Sequence, residues 1–273
     1  MDVKPAFDFA KAFLQRIQQI HANGLAAQLA FYFLLSLFPF LIFAVTLLPY
    51  IGVTGQQILH LLEQYAPNEA TSFIERELYV IDRKQQGLLS FGIIAAIWSV
   101  SNAVNEMMRA LNHAYDVHEN RHFLVARGIA VLLTFGMILV IIIALLLPVF
   151  GKMIGEFIFA HLHLPQGFLT VWEVFRWVTS FSVIVIVFTL LYYFAPNKKL
   201  RLKDVFVGGI VATVGWQLSS YGFSYYVSNV ANYSAMYGSI GGVIVLMLWF
   251  YITAFIIIIG GVINAVLDQS DGG

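Results

Sequence analysis

Two stretches of this sequence bring together side chains that could do chemistry. Asn102, Asn105, Glu106, Arg109 and His113 follow one another at separations of 3, 1, 3 and 4. That spacing puts them on one face of an α-helix, with Trp98 one turn above Asn102. A carboxylate and a guanidinium beside hydrocarbon are costly unless they pair or face water. Glu106 and Arg109 are i,i+3 neighbours and can pair within the helix. Such a face could line a polar pocket for a headgroup or an ion. The alternative is that the apolar span ends near Asn105 and the following turns stand in solvent.

The second stretch is His118-Glu119-Asn120-Arg121-His122. It has the pattern in which two histidines one helical turn apart bind zinc while the glutamate activates water. A zinc hydrolase needs a third protein ligand, yet the next acidic residue or histidine after His122 is Glu156, beyond a long apolar run. Val125 also stands where an extended zinc motif has glycine. A solvated loop is the simpler reading, so neither a metal site nor a cofactor is expected. The chain has no cysteine, which removes disulfides, thiolate ligands and cysteine nucleophiles. No catalytic residue is assigned, and an enzyme is not expected.

These residues must be positioned by elements that the composition already constrains. Sixty per cent of the residues are hydrophobic and 11% are charged, against about 25% charged in a water-soluble domain. Much of the surface must therefore face lipid. A hydrocarbon core of about 30 Å takes roughly 20 helical residues to cross. Six uncharged apolar stretches have about that length: Ala26 to Ile51, Gly87 to Asn105, Gly128 to Gly151, Trp177 to Ala195, Val205 to Val227 and Ile240 to Leu267. None has the alternating pattern of a barrel strand, so the expected fold is all-α, a single integral membrane domain over residues 1–273 with six transmembrane helices. The first 24 residues scatter Lys4, Lys11 and Arg16 among apolar residues, so no cleavable signal is expected.

Lysine and arginine set the orientation. One side holds Lys4, Lys11, Arg16, Arg109, Arg121, Arg127, Lys198, Lys199, Arg201 and Lys203; the other holds half as many, Arg76, Arg83, Lys84, Lys152 and Arg176. The richer side is cytoplasmic, which puts both termini inside. The run Lys198, Lys199, Arg201 and Lys203 then reads as a positive-inside anchor that contacts anionic lipid headgroups. With zero net charge and only short cytoplasmic loops, nucleic acid is not an expected partner.

Short amphipathic helices are expected at both interfaces. Ala6, Phe7, Ala10, Phe13, Leu14, Ile17 and Ile20 recur at helical spacing opposite Lys11 and Arg16, which suits a helix lying in the interface or packed under the bundle. On the outer side, Ile58 to Leu78 divides at Pro67, and Leu162 to Phe175 breaks at Pro165. Within the spans, Gln28 and Ser36 precede Pro39, and Gln217, Ser220, Tyr221 and Ser224 share a face of span five that could complete the pocket. The opposite stripe of that span, Gly208, Ala212, Gly215 and Ser219, allows another helix to approach closely.

Three motifs carry a family resemblance. Ala26-Ala27-Gln28-Leu29-Ala30-Phe31-Tyr32-Phe33-Leu34-Leu35-Ser36-Leu37-Phe38-Pro39, Tyr192-Tyr193-Phe194-Ala195-Pro196-Asn197 and the run from Ser228 to Ser239 resemble the YihY/BrkB family. The likeness covers nearly the whole chain, and Val117, Glu119, Arg121 and Phe123 match a further Val-x-Glu-x-Arg-x-Phe pattern of that family. It implies a helical bundle in a bacterial inner (plasma) membrane and carries two older labels, virulence factor and ribonuclease BN. One departure is that Val262 stands where the family usually has glutamate.

The expectation is a multi-pass transporter or lipid translocator without its own ATPase. Its candidate pocket is Asn102, Asn105, Glu106, Arg109, Gln28, Gln217 and Tyr221. Its expected partners are membrane lipids and a lipid or small-molecule substrate, with an oligomer left open. The rivals are a membrane scaffold for envelope maintenance and, less favoured, an intramembrane metallohydrolase or ribonuclease.

Overall fold

A computed structural model describes residues 4–47, 86–122, 124–136, 167–229 and 240–271. They form seven helices: α1 (Lys4–Gln19), α2 (Ala22–Leu47), α3 (Gln86–Tyr115), α4 (Leu124–Gly136), α5 (Gly167–Phe194), α6 (Leu202–Asn229) and α7 (Ile240–Asp271). No strand occurs among the described residues. Three stretches, Ala22–Ile42, Gly167–Phe194 and Gly241–Gln269, are long and apolar enough to cross a membrane. Helices α3 and α6 match them in length, but Asn, Glu and Arg dilute the first, and Gly, Ser, Gln and Tyr the second.

The polar face predicted from Asn102 to His113 lies on one continuous helix, because α3 runs to Tyr115. There the Asp116 N–H donates to the His113 carbonyl (3.2 Å) and the Val117 N–H to the Asn112 carbonyl (3.0 Å). Asp116, at φ 57°, takes the left-handed position that closes such a helix end. One expected boundary is corrected: the segment from Gly167 to Phe175 is not separate from the span after it. Helix α5 runs unbroken through Gly167–Phe194. Glu173 and Arg176 pair within it at 3.7 Å, so charge does not end it. The pieces from Ile58 to Leu78, the far ends of spans one and three, and most of Ser228 to Ser239 lie outside the described residues.

The chain divides into two units, Met1–Phe31 with Val104–Gly273, and Tyr32–Ala103. In the larger, α6 packs against α5 and α7, and α1 lies along α7. Leu29, Met107, Met108, Leu111, Leu191, Tyr192, Ile257 and Ile258 are fully buried. The small-residue stripe of α6 brings two backbones together: a Cβ at Gly208 would collide with the Gly260 carbonyl and the Asn264 amide. Asn264 uses that closeness. Its Oδ1 accepts from the Gly208 N–H (2.7 Å), and its Nδ2 donates to the Val205 carbonyl (3.0 Å). The Tyr192 hydroxyl donates to the Ile257 carbonyl at 2.8 Å. Helix α1 is packed, with Arg16 Nε donating to the Ala114 carbonyl (2.9 Å), yet it leaves Phe7 and Leu14 exposed.

In the smaller unit, Pro39 sits inside α2, and the Ser36 hydroxyl donates to the Phe33 carbonyl of its own helix at 2.8 Å. Ala96, Ser101 and Ala103 are buried, while Phe91, Ile94 and Trp98 form an exposed apolar stripe that suits lipid.

Candidate functional site

Within the larger unit, the start of α2 and the second half of α3 enclose a cavity of about 190 Å³ lined by Leu25, Gln28, Leu29, Glu106, Arg109, Ala110 and His113. Among these lining groups, the Glu106 carboxylate accepts two hydrogen bonds. Oε2 accepts from Gln28 Nε2 (3.1 Å), and Oε1 accepts from Arg109 Nη1 (2.8 Å). The pair is lopsided: the Glu106 side chain is 12% exposed and that of Arg109 is 65% exposed. Helical spacing explains the assembly, because Glu106, Arg109 and His113 recur at i, i+3 and i+7 on one face of α3.

The structure thus brings Gln28, Glu106 and Arg109 together and adds His113, Leu25 and Leu29 to them. Asn105 is half-buried and does not line the cavity. Asn102 is also half-buried and belongs to the other unit. The sequence expects α6 to complete the pocket. Tyr221 is 79% exposed and Gln217 half-buried, and neither lines the cavity. Helix α6 turns its Gly208, Ala212 and Gly215 stripe inward against α7, which carries Leu218, Tyr221 and Tyr225 outward.

The second stretch has a different role. Residues 117–122 are not helical, so His118 and His122 do not share a helical face. Glu119 is engaged on both oxygens: Oε1 accepts from Arg121 Nε (2.8 Å) and the Arg121 N–H (3.0 Å), and Oε2 from Arg121 Nη2 (3.0 Å) and Asn112 Nδ2 (2.9 Å). Arg121 also donates to the last carbonyls of α5, at 3.2 Å to Phe194 and 2.7 Å to Ala195. Helix ends leave such carbonyls without partners, and the guanidinium satisfies them. Asn197 completes the loop. Its N–H donates to Asn112 Oδ1 (2.6 Å) and its Nδ2 to the His118 carbonyl (2.8 Å). Partial burial raises the Glu119 carboxyl, but the Arg121 and Asn112 hydrogen bonds outweigh that and hold it below the ordinary glutamate value. Among the described residues no group of three or more His, Asp or Glu could hold a metal ion. Asn112 and Asn197 were missed from the sequence; the Pro196-Asn197 step after an apolar run was their only signal.

In the basic run, two of the four cations hold protein carboxylates. Lys198 pairs with Asp268 and lies 5.8 Å from the centre of the Tyr115 ring. Arg201 Nε binds Asp204 Oδ2 at 2.7 Å, and the same oxygen accepts from the Arg201 N–H (3.3 Å), closing the first turn of α6. These bonds hold the Asp204 carboxyl below its ordinary value. Lys199 and Lys203 are exposed.

Long apolar helices, an exposed apolar surface and an ion pair lining a cavity between helix ends define a helical membrane protein with several candidate spans. The chain belongs to the virulence factor BrkB family, whose sequence profile matches residues 13–273. It is 50% identical over 262 residues to the ribonuclease-like protein YfkH of Bacillus subtilis (strain 168), covering 96% of this chain and 95% of that protein. It is 26% identical to a UPF0761 membrane protein of Actinobacillus pleuropneumoniae, covering 76% and 72% respectively. A UPF0761 membrane protein of Coxiella burnetii is 26% identical over 95% of this chain and 93% of its own length. No solved structure matches the chain. Val262, where the resemblance implied a glutamate, is fully buried.

Proposed function

We propose that this protein is a transporter or lipid translocator without its own ATPase, working at the Gln28, Glu106 and Arg109 notch. In this reading α2 to α7 are six spans of a bacterial plasma membrane, with both termini in the cytoplasm. The observation that carries it is the lopsided pair: a largely buried carboxylate holds a guanidinium that remains 65% exposed and lines a cavity. Exposure alone does not single the pair out, since Arg201 is 64% exposed beside a 12% exposed Asp204; what distinguishes Arg109 is the cavity that it lines. The reading is non-enzymatic, because the glutamate of the zinc-like run has both oxygens engaged by Arg121 and Asn112.

The size of the cavity favours a second reading. About 190 Å³ is smaller than the roughly 300–1,000 Å³ of small-molecule sites, so the notch admits a headgroup or an ion rather than a whole solute. A scaffold with a small lipid-binding notch has the same geometry. Flux separates the two. Protein reconstituted in vesicles should move lipid or solute across the bilayer, and Glu106→Gln, Arg109→Gln and the double variant should stop the flux while still folding. Wild-type flux in all three removes the site, and no flux in the wild type favours the scaffold. Reporters at residues 1, 118, 200 and 273 should read cytoplasm and those near 70, 163 and 232 the outside; an outside signal at 118 or 200 breaks the topology.

A further inference from the structure

Resting on the reading that this notch is the working site, we propose that it binds a phosphate oxyanion through the outer edge of Arg109. The choice of an anion follows from what is already filled. Both oxygens of Glu106 accept hydrogen bonds, from Gln28 and Arg109, and the side chain is only 12% exposed. A cation would have to displace both donors to reach it. Arg109 is the opposite case. A guanidinium carries five N–H donors in a planar fork. One nitrogen, Nη1, is turned to Glu106, and the Nε and Nη2 donors have no partner among the described residues. That edge belongs to a side chain lining the cavity, and a paired N–H edge matches two oxygens of an oxyanion.

Phosphate rather than carboxylate follows from a third polar side chain. His113 lies one turn further along α3 on the same face and lines the same cavity. The fork and the imidazole stand at two levels along the helix, four residues apart, which suits a tetrahedral group better than a flat carboxylate. Leu25 and Leu29 supply an apolar wall on the α2 side, where the carbon part of a phosphate ester can rest. Glu106 and Gln28 are then positioning residues that aim the guanidinium. The same chemistry fits a phospholipid headgroup and free phosphate.

The test uses the full chain purified in dodecyl maltoside, which contains no phosphate. One arm titrates inorganic phosphate and the other dihexanoyl-phosphatidylglycerol, each followed by calorimetry, with a thermal melt of every variant. Saturable binding of either probe is expected; phosphate alone marks a free phosphate source and the lipid alone a headgroup. Arg109→Gln should weaken binding about tenfold or more, the loss of one or two charged hydrogen bonds. Arg109→Lys, which keeps the charge and can keep the pair with Glu106, should weaken it severalfold, and it carries the test if Arg109→Gln does not fold. Binding of neither probe, or binding unchanged in a folded Arg109→Lys and Arg109→Gln, overturns the proposal. So does a sodium or magnesium site lost in Glu106→Gln. Flux that needs Arg109 without phosphate affinity leaves the transport reading standing and removes this one; phosphate affinity without flux does the reverse.

Discussion

Helix α3 and the loop after it carry two glutamate–arginine pairs, and the difference between them separates a clamp from a binding group. In the loop, Arg121 is 15% exposed, and its donors reach Glu119, the Phe194 carbonyl and the Ala195 carbonyl. On the helix, Arg109 makes a bond of the same length to Glu106, 2.8 Å, yet is 65% exposed. Distance therefore says little about what an ion pair is for. What decides is the rest of the guanidinium: where every donor meets a carbonyl or carboxylate the residue is architecture, and where an edge stays open beside a cavity it is available to a ligand.

The largest expected effect lies on the clamp side. Arg121→Ala removes charged hydrogen bonds to two helix-end carbonyls and leaves the Glu119 carboxylate with only Asn112 and the backbone N–H of residue 121. Each such bond is worth about 1.5–3 kcal/mol. Partial exposure discounts the sum, and a loss of about 2–4 kcal/mol is expected. The measurements are melting temperature in detergent and abundance in membranes. A variant as stable and abundant as the wild type would mean that the loop does not tie α3 to α5, and the comparison would collapse.

Acid is the next lever. Glu119 is held below its ordinary value in the folded protein, so its contribution is present above about pH 4.3 and is lost as pH falls through the lower, folded value. The wild type should lose melting temperature on acidification below about pH 4, and Glu119→Gln, already lacking the charge, should lose less over that range. Equal slopes in the two proteins would place the acid sensitivity elsewhere.

A smaller stability effect, with a larger functional one, is expected at the notch. Arg109→Gln leaves Glu106 its Gln28 bond and removes an exposed pair of modest worth, so stability should change by about 1 kcal/mol or less. Transport or phosphate binding should nevertheless be lost. A melting loss as large as that of Arg121→Ala would make the two pairs alike and turn the notch into packing.

How much of this was legible in sequence follows from the kind of information each feature needs. The three long apolar helices and the Glu106–Arg109 face are local: run length and spacings of three and four residues suffice. Gln28 could be suspected as an amide inside an apolar run, although its bond to Glu106 crosses 78 residues. Tyr221 shows the limit, because periodicity says which residues share a face and not which face turns inward. Asn112 and Asn197 were out of reach for the same reason. They meet only when α3 and α5 close on each other, 85 residues apart.

The smallest expected effect sharpens the comparison from the other end. The run His118-Glu119-Asn120-Arg121-His122 contains both a clamp residue pair and two histidines that mimic a zinc motif. If the clamp is the reason for the run, its chemistry resides in Glu119 and Arg121, and the imidazoles are incidental. Their geometry agrees: both side chains are exposed and the segment is not helical. The backbone still matters at His118, whose carbonyl accepts from Asn197, but an alanine keeps that carbonyl. His118→Ala and His122→Ala should therefore each change stability by less than about 0.5 kcal/mol, as surface substitutions do, and leave flux and phosphate binding unchanged. Elemental analysis of protein purified without chelator makes the test sharper than stability alone. One equivalent of zinc, lost in either histidine variant, would mean that the loop rearranges around a metal and that Glu119 has a second use beyond the clamp.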